Sequence, residues 1–255
     1  MAAGSNRMPA QRIHIGTSGW SYAHWQGLFY PEGLAANQRL AYYQQHFRTV
    51  EINSSFYSLP SRASLRRWYE SVGGDFVFAV KASRYITHMK KLCDPRRTIK
   101  AFISRVDVLG DKLGPILFQL PPHWRINPER LAAFLEILPK DYRYVVEFRD
   151  PSWFSSQIYE LLAEHAVGFC IFDLDKKLSP LQVTADFVYI RLHGPKGPYQ
   201  GRYSDRSLHT WAESITHWRR AGHEVYCYFD NDEAAYAAQD ATRLQGILQA
   251  NDPLR

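Results

Sequence analysis

From Ile13 to Gln249 the chain alternates short apolar runs with longer segments of helical period. Eight runs read as strands: Ile13–Thr17, Val50–Asn53, Phe76–Lys81, Ile116–Leu120, Tyr144–Phe148, Gly168–Asp173, Phe187–Leu192 and Val225–Phe229. They are short, rich in Val, Ile, Phe and Tyr, and bounded by turn residues, as strands buried on both faces are. Helical-period segments lie between them near 37–46, 62–71, 95–110, 128–137, 155–165, 207–221 and 233–249. Ser61, Asn127 with Pro128, and Asp232 stand where helix N-caps belong. Strand and helix in turn, about eight times, predict one α/β domain, a (β/α)8 TIM-type barrel over residues 13–250. One unit departs: Asp173–Asp186 holds Pro180 and no helical period, so the sixth crossover is expected to be a loop or short turn. The rival is an open doubly wound sheet, but its Gly-x-Gly-x-x-Gly fingerprint is missing.

A chain of 255 residues buries roughly three quarters of its unfolded surface, enough for a core without metal or disulfide. With 45% hydrophobic and 22% charged residues it is not a disordered chain. Cys93, Cys170 and Cys227 form no Cys-x-x-Cys pair, which argues against a zinc knuckle or dithiol site and fits a reducing, cytoplasmic setting. No run approaches the roughly 18 apolar residues of a membrane span, so no membrane partner is expected. Residues 1–12, MAAGSNRMPAQR, lack the apolar segment of a secretory signal and read as a loose leader. The formal net charge of +6 and a pI near 9.2 favour an anionic partner.

In such a barrel, reactive residues come from the C-terminal ends of strands. Here those ends are charged: Glu51 and Asn53, Lys81, Glu147 and Arg149, Arg191 and His193, and Asp230 with Asn231. Strand alternation puts Glu51 with Asn53, Glu147 with Arg149, and Arg191 with His193 on common faces. Unpaired burial of such groups costs several kcal/mol each, so a shared polar mouth is the expectation. A set of structural salt bridges, such as Glu51 to Lys81, is the alternative.

The loop His193–Tyr203, HGPKGPYQGRY, carries three glycines, Lys196 and Arg202 as charge, and Tyr199 and Tyr203 as apolar walls. It reads either as an anion-binding loop or as an ordinary surface loop. After the first strand, Ser18, Trp20 and Tyr22 offer a hydroxyl and rings that contact a ligand or simply pack the loop over the barrel. Neither His-Glu-x-x-His nor a clustered His/Asp spacing is present, so no metal site is assigned.

Taken in order, these residues resemble the domain of unknown function 72 family, also called YecE-like. The matching motifs are Gly16-Thr17-Ser18-Gly19-Trp20 with Tyr22, Trp25 and Phe29-Tyr30-Pro31; Val50-Glu51-Ile52-Asn53-Ser54 with Phe56-Tyr57; and Val80-Lys81 with Ile86-Thr87-His88. They continue with Gln119-Leu120-Pro121-Pro122, Glu147-Phe148-Arg149 with Ser152-Trp153, and Arg191-Leu192-His193-Gly194 with Tyr199, Gly201 and Tyr203. The resemblance implies a TIM-type barrel and little about chemistry. Where the family tends towards Phe-Asn-Asn after the last strand, this chain has Phe229-Asp230-Asn231, which adds a negative charge.

The leading expectation is an enzyme of hydrolase or lyase type acting on an anionic, phosphorylated or carboxylated small molecule. Arg149, Arg191 and Lys81 would orient it, and Glu51, Glu147, Lys81 and His193 would supply catalysis. Ser18, Trp20, Tyr22, Asn53, Lys196, Tyr199, Arg202, Tyr203 and Asn231 would complete the binding surface. A Schiff base on Lys81 is disfavoured because a neighbouring glutamate would keep the amine protonated. Nucleic acid is a second possible partner, and a non-catalytic ligand-binding barrel the third reading. The cofactor and the oligomeric state stay open.

Overall fold

The strand runs fold as the alternation requires. A computed structural model describes residues 12–251; the leader expected over 1–12 lies, apart from Arg12, outside the described residues. Eight strands run parallel: β1 (Ile13–Thr17), β2 (Thr49–Ile52), β3 (Val77–Lys81), β4 (Leu113–Gln119), β5 (Tyr144–Glu147), β6 (Gly168–Leu174), β8 (Phe187–Leu192) and β9 (Glu224–Phe229). The short β7 (Lys177–Leu178) folds back antiparallel on β6. The hydrogen-bonded order is β1-β9-β8-β6-β5-β4-β3-β2. The two ends meet where Ser18 bridges to Glu51, so the sheet is a barrel nearly closed by one residue. Ser18 N–H donates to Phe229 O and Gly19 N–H to Glu51 O, both at 2.8 Å, strapping β9 across β1 to β2.

That seam depends on Gly16. A Cβ there would stand 2.3 Å from the carbonyl oxygen of Thr49, inside any allowed contact. A glycine lets β1 and β2 approach where any side chain would hold them apart.

The period of two divides the strands between two cores. One parity of β3 to β9 turns inward and fills the barrel with Ala79, Leu117, Val145, Cys170, Phe187, Tyr189, Tyr226 and Tyr228. The other parity faces the helices in a larger core that includes Val50, Phe78, Phe118, Val146, Ile190 and Cys227. Seven helices supply its outer half: α1 (Arg39–Tyr43), α2 (Arg62–Glu70), α3 (Pro95–Val106), α4 (Pro128–Leu135), α5 (Ser156–Glu164), α6 (Asp205–Arg220) and α7 (Tyr236–Ala250). The caps at Ser61 and Asn127 form, each accepting from the N–H three residues on, Ser64 at 3.0 Å and Arg130 at 2.9 Å. Asp232 does not cap α7, which starts at Tyr236 after a left-handed Ala235. Its side chain instead takes the indole N–H of Trp25 and lies 3.3 Å from His24, fastening the loop after β1.

The sixth crossover has no helix. Its extended segment is stitched to β6 instead: Thr184 Oγ accepts from Phe169 N–H at 2.8 Å, and Ser179 Oγ from Phe172 N–H at 2.9 Å.

Gly16→Ala is expected to cost about 1–3 kcal/mol, the usual range for a forced extra methyl in a packed interior. Urea unfolding of the two proteins measures it; an unchanged midpoint would mean the β1–β2 seam yields without cost.

Candidate functional site

Alternation decides which strand-end residues enter the mouth. Above the apolar inner residues the inward parity continues as Glu51 on β2, Lys81 on β3, Glu147 and then Arg149 on β5, Arg191 and then His193 on β8, and Asp230 after β9. At their centre lies the guanidinium of Arg191, with no exposure to solvent. It holds Glu51 in a two-pronged pair, Nε to Oε2 at 3.0 Å and Nη2 to Oε1 at 2.8 Å. Nη1 donates to Glu147 Oε2 at 2.9 Å, and Nη2 to Asp230 Oδ2 and Ser18 Oγ, both at 3.2 Å. Tyr189, one turn of the pleat deeper, donates its hydroxyl to Glu51 Oε2 at 2.7 Å. Ser18 donates to the other oxygen of Glu51. Cys170 Sγ lies 3.8 Å from Glu147 Oε2.

Burial alone would raise the Glu147 carboxyl, but the guanidiniums of Arg149 and Arg191 outweigh it and hold it well below the usual carboxylate range. Arg149 Nε pairs with Glu147 Oε1, and Arg149 stacks 5.1 Å over the Phe172 ring. Asp230 goes the other way: burial raises its carboxyl despite Arg191.

His193 is fully buried and receives two guanidinium nitrogens at the same ring atom. Arg149 Nη2 is 3.1 Å and Arg191 Nη1 3.2 Å from Nε2. Guanidinium donates only, so Nε2 is an acceptor and the ring proton sits on Nδ1, 3.0 Å from Asp230 Oδ2 though too bent for a straight hydrogen bond. Burial, then Arg191 and Arg149, push its pKa well below the ordinary histidine value. This arrangement argues against the expected role of His193 as a proton carrier, because a proton on Nε2 would face two cations. Arg191 is likewise no ligand-facing cation, since the network consumes it.

Lys81 differs from both arginines. It is 7% exposed, and its ammonium lies 4.3 Å from the Phe56 ring centre. Among the described residues no carboxylate lies within 4 Å of it, so the Glu51–Lys81 salt bridge of the alternative reading does not form and Glu51 pairs with Arg191 instead. Burial, then Arg191, lower its pKa to about 8. Beside it His88 packs edge-on against the same Phe56 ring at 5.0 Å, Nδ1 2.9 Å from Thr87 Oγ. Burial, then Lys81, lower His88 to about 4, so it is neutral at pH 7.

The remaining expected residues divide into two groups. Trp20, Tyr22 and Asn53 line a narrow cavity of about 170 Å³ beside the network, with Ser54 and Trp68. Tyr22 donates to Ser18 O at 2.6 Å, and Asn53 Oδ1 has no partner. Tyr199 stands 48% exposed at the rim, its ring 5.5 Å from that of His193. The others are braces. Tyr203 is buried, accepting from Gly194 N–H at 3.0 Å and donating to Asp173 at 3.1 Å. Asn231 Nδ2 donates to Gly201 O and Asp240 Oδ2, both at 2.9 Å, and turns away from the mouth because Asp230 turns in. Arg202 faces Asp240 at 3.8 Å, outward on α7. The stem of Lys196 lies against Gly201. With Arg202 and Asn231 spent elsewhere, the expected anion-binding loop reduces to Lys196 and Tyr199.

Trp20, Trp25 and Phe56 are buried, so the aromatics exposed for stacking on a nucleic-acid strand are tyrosines, Tyr57, Tyr85 and Tyr199 among them. No group of three His, Cys, Asp or Glu among the described residues could hold a metal, and no described helix is long and apolar enough to cross a membrane. Of the mouth residues, Asp230 stands among the charged strand ends with no role assigned, and Tyr189, Phe56 and His88 fall outside the sequence-based set. Parity alone points to the first two, since Tyr189 is two residues before Arg191 and Asp230 two after Tyr228.

A family model described as protein of unknown function DUF72 matches residues 14–254. A DUF72 family protein from Thermotoga maritima is 31% identical, with a TM-score of 0.85 over 93% of this chain and 99% of that one. The UPF0759 protein YunF of Bacillus subtilis is 26% identical over 92% of this chain and 94% of its own length. The UPF0759 protein YecE of Escherichia coli is 33% identical over 146 residues, 56% of this chain and 50% of that protein. The match thus spans half the length of that relative.

Two opposite stability effects follow. Arg191→Met leaves three buried carboxylates without their shared cation and is expected to cost about 3–5 kcal/mol. Lys81→Met removes a buried ammonium that has no counterion and is expected to stabilise by roughly 1–3 kcal/mol at pH 7. The Lys81 pKa falls on folding, from 10.5 to about 8, so the unfolded chain binds more protons in that window and wild-type stability rises with pH across it. The gap between wild type and Lys81→Met should close between pH 8 and 10.5. Urea titrations at pH 7 and 10 test both; a Lys81→Met protein less stable than wild type at pH 7 would contradict the charge assignment.

Proposed function

Because the chain belongs to the DUF72 family, whose description assigns it no reaction, we propose a function from the mouth itself: an enzyme acting on an anionic small molecule, with Lys81 as the group that meets it. One observation carries this reading. Of the three inward cations, Arg149 and Arg191 have carboxylate partners and Lys81 has none. An ammonium held in a dry site without a counterion is a standing attraction for an anion from solution. Arg149, at the rim with its side chain 8% exposed, is the second cation available to such a ligand.

The chemistry that suits the mouth is proton transfer or bond cleavage next to a carboxylate or carbonyl, of lyase type. A lysine whose pKa lies near 8 gains and loses its proton close to neutral pH. Glu51 and Glu147 are bound to Arg191, and Ser18 has both its hydroxyl bonds inside the network, so none of them is a ready nucleophile. Their part is to keep the floor of the mouth rigid.

The test is thermal denaturation with sugar phosphates, 2-oxo acids, neutral sugars and short single-stranded DNA. A ligand at 100 times its dissociation constant adds about 2.7 kcal/mol, several degrees for a chain this size. An anion is expected to raise the midpoint of the wild type and leave Lys81→Met unmoved. A shift with neutral sugars alone would overturn the anion reading, and one with DNA alone, fading steeply with salt, would replace it with nucleic-acid binding.

A further inference from the structure

The barrel buries two lysines to the same degree, 7% exposed each, in opposite ways. Lys112 donates its ammonium to the carbonyl oxygens of Tyr69 at 2.6 Å and Val72 at 2.8 Å, over the Tyr69 ring at 4.2 Å. That is how a chain buries a lysine for structure: carbonyl acceptors take two of its protons and a ring face covers the charge. Lys81 has the ring and no acceptor among the described residues. It ends β3 on the mouth side, against the Phe56 face, with the His88 imidazole on the same ring.

We infer that Lys81 is a covalent catalyst, its ε-amine condensing with the carbonyl carbon of an anionic aldehyde or ketone to form a Schiff base in the mouth. This rests on the reading that the mouth takes an anionic small molecule, and names its reactive group. A buried amine without acceptors loses its proton readily, as the value of about 8 reflects, and a neutral amine is the nucleophile such a step needs. The amine lone pair forms the C–N bond while the carbonyl π pair moves to oxygen, which takes a proton as nitrogen gives one up. The hydroxyl then takes the remaining nitrogen proton and leaves as water as C=N closes. One water is released, and no oxidant or reductant enters. Arg149 is the rim cation for the anionic group.

The charges facing Lys81 are Arg191 from β8, Glu147 and Arg149 from β5, Glu51 from β2 and Asp230 after β9. Burial and Arg191 oppose its protonated form, and the carboxylates favour it. The earlier objection, a glutamate holding the amine protonated, fails because Glu51 and Glu147 are bound to arginines.

The full chain is incubated with pyruvate or glyceraldehyde 3-phosphate, reduced with cyanoborohydride, and read by intact mass and peptide mapping. One adduct per chain is expected, on Lys81, formed faster as pH rises and levelling above about 8. Lys81→Met should carry none, while Lys112→Met, if it folds, should still be labelled. An anion-induced thermal shift that requires Lys81, with no trapped adduct on it, overturns the covalent step and leaves the anion reading standing. Acetaldehyde trapped on Lys81 as fast as the anionic carbonyls keeps the covalent step and overturns the anion reading. Label spread evenly over surface lysines overturns the assignment of Lys81.

Discussion

The guanidinium of Arg191 sits among three carboxylates delivered by three other segments of the barrel: Glu51 from β2, Glu147 from β5 and Asp230 after β9. Such a cluster is not a cheap source of stability, because removing each ion from water costs several kcal/mol before any attraction is gained. Its consequence is geometric. The bonds to Glu51 use both carboxylate oxygens and two guanidinium nitrogens, so neither strand can slip without leaving a bare charge. Strands far apart in sequence are thereby held in one register at the mouth, and the direction of His193, Arg149 and Lys81 follows from it.

The same network separates the charged residues of the mouth by what they are able to do. Groups inside it have their lone pairs and protons assigned: Glu51 to Arg191, Tyr189 and Ser18, and His193 Nε2 to two guanidiniums. Lys81, on β3 between them, is outside that accounting. With a pKa of about 8, its amine can gain or lose a proton in response to a ligand.

Much of the fold was legible because strand and helix periods differ so clearly, and because the one stretch without a period, Asp173–Asp186, truly lacks a helix. Strand ends were legible as charged, and parity correctly grouped Arg191 with His193 and Glu147 with Arg149. What the residues could not reveal was depth and partner. Arg191 reads identically whether its guanidinium reaches into solvent or is consumed by Glu51, and only closure of the barrel brings β2 across from β8. The position of Asn231 could have been inferred, since Tyr226, Tyr228 and Asp230 share one face and Asn231 falls on the other. Arg202 and Tyr203 could not, because their partners Asp240 and Asp173 lie in distant segments brought near only by α7 and β6.

Seven helices surround eight parallel strands, and the missing one leaves a stretch of wall closed by hydroxyl-to-backbone bonds from Ser179 and Thr184. Helices lock their neighbours through interdigitated side chains, so a change of length in one disturbs the whole outer core. A strand stitched by local hydrogen bonds transmits no such strain. The sixth crossover is therefore the place on the circumference where evolution can lengthen, shorten or graft sequence without recutting the barrel, and it begins beside the loop that carries Tyr199 to the mouth. Divergence among relatives in what they accept can begin at this patch of wall, while the ions below it stay as they are.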